Sequence, residues 1–421
     1  MKVLILSQYF WPESFRINEV AQSLRDVGCE VSVLTGQPNY PDGVVFKGYR
    51  ALAMGREDFG GCSVYRVPLA PRGGASAIRL AANYISFVLG ASLLGPLLLR
   101  SRRFDVIFVY GISPILQAVP GILLRRTTGA ALVTWVQDLW PQSLEVTGFL
   151  RSPCALAAIR GVVRWIYRRN DLLLVQSPGF LPLVRGMSGK TLVEYHPNPG
   201  ASALKEGFLG RPALVLDPGF NVVFAGNLGR AQALETVLAA AQLLRESSHV
   251  RLVLIGSGSR EQWLQREVQR LGLTNVQVPG RFAHEEMPAI LAQASALLVT
   301  LARSQIMSQT VPSKIQAYLA AARPIIGSLD GEGASVIRQA AAGIACPAED
   351  AGALADAIRK LYSTPAADLH SMGQSGRLYY EKHFEPGMLA KRLAQRFADL
   401  VAARGQPRVN RTTDGTRIGD G

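Results

Sequence analysis

The stretch 222–245, VVFAGNLGRAQALETVLAAAQLLR, contains the unit from which the rest of the chain is built. Val222–Ala225 is a short apolar run that stops at Gly226. A loop with a second glycine follows, and Ala233–Arg245 then has the length and composition of a helix. A continuous apolar run that passes through a glycine turn into a helix predicts a strand of a parallel sheet covered on both faces.

The unit recurs on both sides. Towards the C-terminus, strands are predicted at Leu252–Ile255, Val276–Val278, Ala296–Thr300 and Pro324–Gly327. Helices are predicted at Arg260–Leu271, Glu286–Gln293, Ser313–Ala321, Ala351–Tyr362, about Leu369–His383 and Met388–Ala403. Towards the N-terminus, MKVLILSQYFWPES reads as a first buried strand, Val3–Leu6, and not as a secretion signal, because no small-residue cleavage site follows the short apolar run. Helix Arg16–Val27 follows, then strands Val31–Thr35, Val64–Val67, Val106–Tyr110, Leu132–Val136 and Leu172–Val175. Between the two series, His196–Phe220 is rich in Pro and Gly, which break regular structure. The expected organisation is a lobe over 1–198, a linker over 199–219 and a second lobe over 220–385. A helix over 386–404 folds back on the first lobe, and a disordered tail covers 405–421. Two doubly wound α/β sheets in tandem place ligands at the carboxyl ends of their strands, in the cleft between lobes.

The chain carries a net charge of +14, concentrated in its first half. From Phe59 to Gln137 the only acid is Asp105, against eight arginines, and Val146–Asn170 holds five arginines and no acid. Such a surface favours an anionic partner, and with no recognition motif beside the charge that partner is expected to be a membrane and not a nucleic acid. Leu80–Leu99 is twenty residues without a charge, flanked by Arg79 and by Arg100, Arg102 and Arg103. A crossing would put neighbouring sheet strands on opposite sides of a bilayer. The segment is therefore read as a helix docked on its lobe with one face in lipid, or as a buried core helix. Arg160–Arg169, with Trp165 and Tyr167 among four arginines, is a second interfacial candidate or an ordinary amphipathic helix. The four cysteines (Cys29, Cys62, Cys154 and Cys346) have no pairing or metal-ligand spacing.

Chemistry is expected at the strand ends. Gly226, Asn227 and Arg230 lie on the first turn of the second lobe, and Gly256 and Gly258 on the next. Glycine lets backbone N–H groups approach a phosphate at a helix N-terminus. In VPSKIQAYLA, 311–320, Pro312 and Ser313 open a helix with Ser313 as cap, and Lys314 sits in its first turn, against the helix dipole unless an anion binds there. Gly331 and Glu332, after the next strand, hold sugar hydroxyls or form a plain turn. In the first lobe Glu13 and Arg16 face the cleft, and Asp138 either handles an acceptor hydroxyl or caps a turn.

These segments together resemble glycosyltransferase family 4, of the two-Rossmann-lobe GT-B type. The matching runs are SQYFWPESFRINEVAQSL, VQDLWPQSLEVTG, FAGNLGRAQALETVLAAAQLL, LVLIGSGS and VPSKIQAYLAAARPIIGSLDGEG, and the enzymes of bacterial colanic-acid and O-antigen assembly are most similar. The resemblance implies a nucleoside-diphosphate sugar, UDP-linked, bound mainly by the second lobe, an acceptor bound by the first, where Glu13 and Arg16 are placed, transfer with retention, and no metal or other cofactor. The arginine distribution makes the expected acceptor a lipid-diphosphate-linked glycan and the expected place peripheral, on the inner face of the cytoplasmic membrane. By position, Gly226, Asn227, Gly256, Gly258, Pro312, Ser313, Gly331 and Glu332 fall on the donor site, and Asp138, Lys314 and Arg230 carry the catalytic assignment. The sequence departs from the family where its paired glutamates fall at Gln309 and Ala317, its arginine at Asn227, its lysine at Gln232 and its His-Asp pair at Gln137-Asp138. Those departures keep two rivals in view: a sugar-nucleotide epimerase of similar architecture and a non-catalytic sugar-nucleotide-binding subunit.

Overall fold

The computed structural model describes residues 1–74, 76–146, 150, 152–200, 213–247, 249–283 and 285–405. Residues 201–212 of the expected linker and 406–421 of the expected tail lie outside the described residues.

The chain builds two sheets in succession. The first contains β1 (Lys2–Leu6), β2 (Glu30–Thr35), β3 (Gly55–Phe59), β4 (Cys62–Arg66), β5 (Val106–Gly111), β6 (Ala131–Val136), β7 (Leu172–Val175) and β8 (Leu192–Tyr195), in the order β3-β4-β2-β1-β5-β6-β7-β8. The second contains β9 (Phe220–Ala225), β10 (Val250–Ile255), β11 (Val276–Gly280), β12 (Ala296–Thr300), β13 (Ile325–Ser328) and β14 (Gly343–Cys346), in the order β11-β10-β9-β12-β13-β14. All pairings are parallel except β3 with β4. The strand order of each sheet reverses beside β1 or β9, the place where loops of such sheets leave on opposite faces.

Helices cover both faces of each sheet. On the first, α1 (Arg16–Asp26) packs on one face; α2 (Ala77–Leu98), α3 (Val119–Thr128), α4 (Gln142–Val146), α5 (Pro153–Tyr167) and α6 (Leu181–Ser188) follow in the chain. Phe87 and Ala91 of α2, Ile122 and Leu124 of α3, Val163 and Ile166 of α5 and Val184 of α6 share one core with Leu4, Leu6 and Leu34 of the sheet. The second sheet is covered by α7 (Leu234–Leu243), α8 (Glu261–Arg270), α9 (Met287–Leu291), α10 (Gln305–Ser308), α11 (Ser313–Ala320), α12 (Glu332–Gln339), α13 (Ala351–Tyr362) and α14 (Ala366–His383). A last helix, α15 (Pro386–Gly405), leaves the second lobe. Its Leu393, Phe397 and Leu400 join the core formed by α1 with Val3, Ile5 and Phe108.

The predicted strands are all present, and three more appear. GREDF of β3 is an exposed antiparallel edge with no apolar run to announce it, and β8 and β14 are four residues each. Helix α2 is neither wholly buried nor free. Asn83, Phe87 and Ala91 are fully buried, while Ile85, Leu89, Leu93 and Leu97 are exposed. Cys29, Cys62 and Cys346 are buried, Cys154 is exposed, and all four are free.

Candidate active site

The second lobe brings its glycine turns into contact. Gly226 has φ +140°, and a Cβ there would fall 2.5 Å from Cε of Lys314. Gly256, at φ +142°, comes so close that a Cβ would lie 1.8 Å from the Gly226 carbonyl oxygen. A Cβ on Gly258 would meet Asn227 Oδ1 and Leu228 O at 2.5 Å. The two turns are also hydrogen-bonded: Leu228 N–H donates to Ser257 O at 2.9 Å, and Gly226 N–H to Ile255 O at 2.9 Å. Gly256 and Gly258 are required by backbone packed on backbone, and Gly226 by its positive φ and the Lys314 side chain above it; together they form a glycine-lined floor.

Lys314 lies across that floor. Its Nζ is 2.7 Å from Gln232 Oε1 and 3.7 Å from the centroid of the buried Phe224 ring. Among the described residues no carboxylate pairs with it. Burial lowers its pKa from the ordinary lysine value to about 7. A half-buried ammonium held by a neutral amide and a ring face is a cation whose counter-charge has yet to arrive. Ser313 is not the cap expected of it. Pro312 takes the N-cap position without a side-chain hydrogen bond, and Ser313 is the exposed first residue of α11, so the first-turn N–H groups stay uncapped by side chains. Arg230, which follows the Gly226–Gly229 loop, is exposed, and its guanidinium has no partner among the described residues.

Gly331, φ +71°, lets the loop after β13 close on α10; a Cβ would fall 1.9 Å from Ser308 O. Glu332 begins α12 half-buried, with its pKa raised by loss of solvent. The other acid of that loop, Asp330, is engaged: Oδ1 accepts from Ala348 N–H at 3.1 Å and Oδ2 lies 3.6 Å from Arg303 Nε.

In the first lobe the structure engages Glu13 and Arg16, the residues expected at the acceptor, in bonds within the chain. Glu13 is 2% exposed, its Oε1 accepts from Asn39 N–H and Tyr40 N–H at 2.7 Å each, and its Oε2 accepts from Phe10 N–H at 3.2 Å. Burial raises its pKa to about 7 against the pull of those three donors. Glu13 therefore ties the loop after β1 to the loop after β2. Arg16 is likewise turned to the chain itself: Nη1 donates to Pro199 O at 2.6 Å, fixing α1 to the segment that leaves the lobe. Asp138, at the end of β6, accepts through Oδ2 from both N–H and Oγ–H of Ser113 at 2.9 Å, and Trp140 Nε1–H donates to that Oγ at 2.8 Å.

A polar chain joins the lobes beside these groups. Asn198 Nδ2–H donates to Gln137 Oε1 at 2.9 Å, and Gln316 Nε2–H donates to Asn198 O at 2.9 Å. It links the neighbour of Asp138 to the helix that carries Lys314. Gln137 Nε2, Asn198 Oδ1 and Gln316 Oε1 are buried without a partner. Ser177 Oγ–H donates to Gln309 O at 2.5 Å, and Gly179 packs on Gln309 so closely that a Cβ would come within 2.9 Å of its Cα. Phe224, Asn198, Gln316 and Ser113 were not singled out from sequence. The contacts that give them meaning span 25 to 118 residues. Among the described residues no His, Cys, Asp or Glu cluster could hold a metal ion.

Comparison with known proteins agrees with this geometry. Residues 14–199 match the family model described as glycosyl transferase 4-like domain, and residues 219–364 the model described as glycosyl transferases group 1. WcaI of Escherichia coli (strain K12), named as a colanic acid biosynthesis glycosyl transferase, is 27% identical over 342 residues, covering 76% of this chain and 81% of its own. The glycosyltransferase WbjE of Pseudomonas aeruginosa is 27% identical over 299 residues, covering 68% and 72%. Sucrose-phosphate synthase from Thermosynechococcus elongatus shares the fold with a TM-score of 0.70 at 20% identity, over 96% of this chain and 99% of its own. HepE of Anabaena, solved in complex with UDP, does so with a TM-score of 0.64 at 14% identity, over 95% and 100%. Two-lobed architecture, glycine-floored second lobe and the match of a family model to each lobe agree: the chain belongs to the group 1, family 4-like glycosyltransferases of GT-B fold.

Proposed function

We propose that the protein transfers a sugar, with retention of anomeric configuration, from a nucleoside-diphosphate sugar to a lipid-diphosphate-linked or growing glycan in cell-surface polysaccharide assembly, working at the inner face of the cytoplasmic membrane. The observation that carries this reading is Lys314, held over Gly226 with no carboxylate beside it. A diphosphate laid on the Gly226–Gly256 floor would meet that ammonium, the uncapped first turn of α11 and the free guanidinium of Arg230. During transfer the bond between the sugar C1 and the diphosphate oxygen breaks, and a bond from C1 to the acceptor oxygen forms. The acceptor hydroxyl gives up its proton, and the diphosphate leaves with added negative charge. Cations already aimed at that oxygen favour the transition state over the ground state. Asp138, braced by Ser113, orients the acceptor hydroxyl or takes its proton.

The HepE complex with UDP supports a uridine nucleotide as donor, and the name of WcaI, a colanic acid biosynthesis glycosyl transferase, supports a polysaccharide product. Calorimetric titration with UDP, GDP and their sugar conjugates, followed by transfer to lipid-diphosphate acceptors, tests the reading. UDP-linked donors are expected to bind and to be consumed only with acceptor. Turnover of donor without acceptor would favour an epimerase, binding without any turnover would favour a carrier subunit, and absence of binding by every nucleotide would remove the reading altogether.

A further inference from the structure

Helix α2 carries an apolar stripe that faces away from the protein. Asn83, Phe87, Ala91 and Gly95, every fourth residue, form its inner face. That face is fixed: Asn83 Oδ1 accepts from Gln8 Nε2–H at 2.7 Å, and Asn83 Nδ2–H donates to Ala70 O at 2.7 Å. Gly90 packs on Pro68 and Gly95 on Leu34. The outer face repeats at the same spacing with Ile85, Leu89, Leu93 and Leu97, of which Leu93 is 73% exposed. Although α2 is long and apolar enough to cross a bilayer, its buried, hydrogen-bonded Asn83 holds it flat on the lobe. Leu52, 83% exposed, and Met54 extend the apolar surface from the loop before β3.

At the C-terminal end of α2 this surface meets an open groove of about 830 Å³. Leu98 and Met54 form its apolar wall, and Lys2, Arg56, Arg102 and Arg103 supply cations. Glu30 engages Lys2 at 3.6 Å and Arg102 at 3.4 Å. Arg56 and Arg103 have no ion-pair partner among the described residues, and Arg56 lies over the Tyr65 ring. The groove begins at the amino end of β1, whereas Gly226 and Gly256 follow the carboxyl ends of β9 and β10.

We propose that this face docks on an anionic phospholipid bilayer, with the α2 stripe in the acyl boundary and the headgroup phosphate of one lipid in the Arg56–Arg103 groove. Apolar stripe and cations sit side by side, the arrangement that an interface with apolar chains below and phosphates above selects. A second copy of this chain is disfavoured, because its arginines would face these. The inference deepens the membrane part of the proposed function and does not depend on which sugar is moved.

The test is flotation of the full chain with vesicles of neutral phosphatidylcholine and with vesicles containing phosphatidylglycerol. Binding is expected to be strong on phosphatidylglycerol, weak on phosphatidylcholine, and weakened by salt. Arg56→Ala with Arg103→Ala should lower affinity for the anionic vesicles about thirtyfold, at roughly a factor of five per surface cation, and leave the weak neutral binding unchanged. Leu89→Asp with Leu93→Asp should abolish both. Nucleotide binding and transfer to a detergent-soluble acceptor, measured in parallel, should be unchanged in both variants. Their loss would indicate a folding fault and call for Leu89→Ser with Leu93→Ser in the same assay. Equal flotation of wild type on both vesicles, or flotation indifferent to both variants, would overturn the proposal. Competition by millimolar inorganic phosphate as effective as that by phosphatidylglycerol vesicles would also overturn it, in favour of a free-anion site.

Discussion

At the carboxyl ends of the first sheet the charged side chains are held by bonds within the chain. Glu13 takes three backbone N–H groups, Arg66 reaches Glu57, Gly36 O and Trp11 O, and Asp138 holds Ser113. At the carboxyl ends of the second sheet the floor is bare glycine, and the central cation, Lys314, has only an amide and an aromatic ring. The first arrangement fixes the shape of loops that a ligand will touch. The second leaves charge unbalanced where a ligand's charge will come. A buried charge without a partner is unfavourable in the free protein, and an anionic ligand relieves it on binding. The two lobes thus prepare for ligands in opposite ways: in one the charges named are partnered before binding, in the other the central cation awaits its counter-charge.

Removing the unbalanced charge should break the second arrangement most severely. Lys314→Ala is expected to lower turnover by roughly 10²–10³-fold, the scale for loss of a preorganised group at a developing oxyanion. Its melting temperature should not fall, because the cation lost was poorly solvated; equal losses in activity and stability would mean that Lys314 is structural. Next in size, Gly226→Ala should weaken nucleotide binding about tenfold to a hundredfold, since its Cβ displaces Lys314 and backbone strain in such a region is about 1–3 kcal/mol. Calorimetry reads that loss directly.

The first lobe should respond in stability. Glu13→Gln keeps one carbonyl oxygen for Asn39 and Tyr40 but presents an amide where Phe10 N–H needs an acceptor, which costs about 1–3 kcal/mol. The pH dependence carries a sign. Because the folded-state pKa of Glu13 is raised to about 7 from 4.5, its contribution to stability is present below pH 4.5 and lost as pH rises towards 7. Glu13→Gln should flatten that slope in denaturant unfolding; an unchanged slope would show that Glu13 is ionised at lower pH than its burial dictates. The smallest effect is expected at the junction. Gln316→Leu removes the donor to Asn198 O along with its own unpartnered Oε1, so global stability should move by no more than about 1 kcal/mol. The transfer KM should rise a fewfold as the lobes lose a shared contact, while nucleotide affinity stays constant.

Much of this contrast was legible in the chain, for local reasons. A parallel strand buried on both faces is a continuous apolar run, and the turn into its helix must hold glycine where backbones meet. Gly226 and Gly256 therefore declared themselves within ten residues. Lys314 stood out as a cation at the wrong end of a helix. What sequence could not disclose is set by topology. Glu13 meets Asn39 and Tyr40 only because β1 and β2 lie side by side, and Gln137, Asn198 and Gln316 meet only where the lobes do. An edge strand such as GREDF, half in water and paired on one side, has no apolar signature to read.

The central claim is that the second lobe holds an unbalanced lysine which the donor diphosphate completes. With a pKa of about 7, Lys314 is mostly neutral at pH 8.5 in the free protein. A bound diphosphate stabilises its charged form, so binding should draw a proton from solvent and affinity should fall as pH rises above 7, by at most about tenfold per unit. Titration of UDP at pH 8.5, by calorimetry in two buffers of different ionisation enthalpy, measures this uptake. The account predicts uptake approaching one proton in the wild type and none in Lys314→Met; equal uptake in both proteins, or none in either, would contradict it.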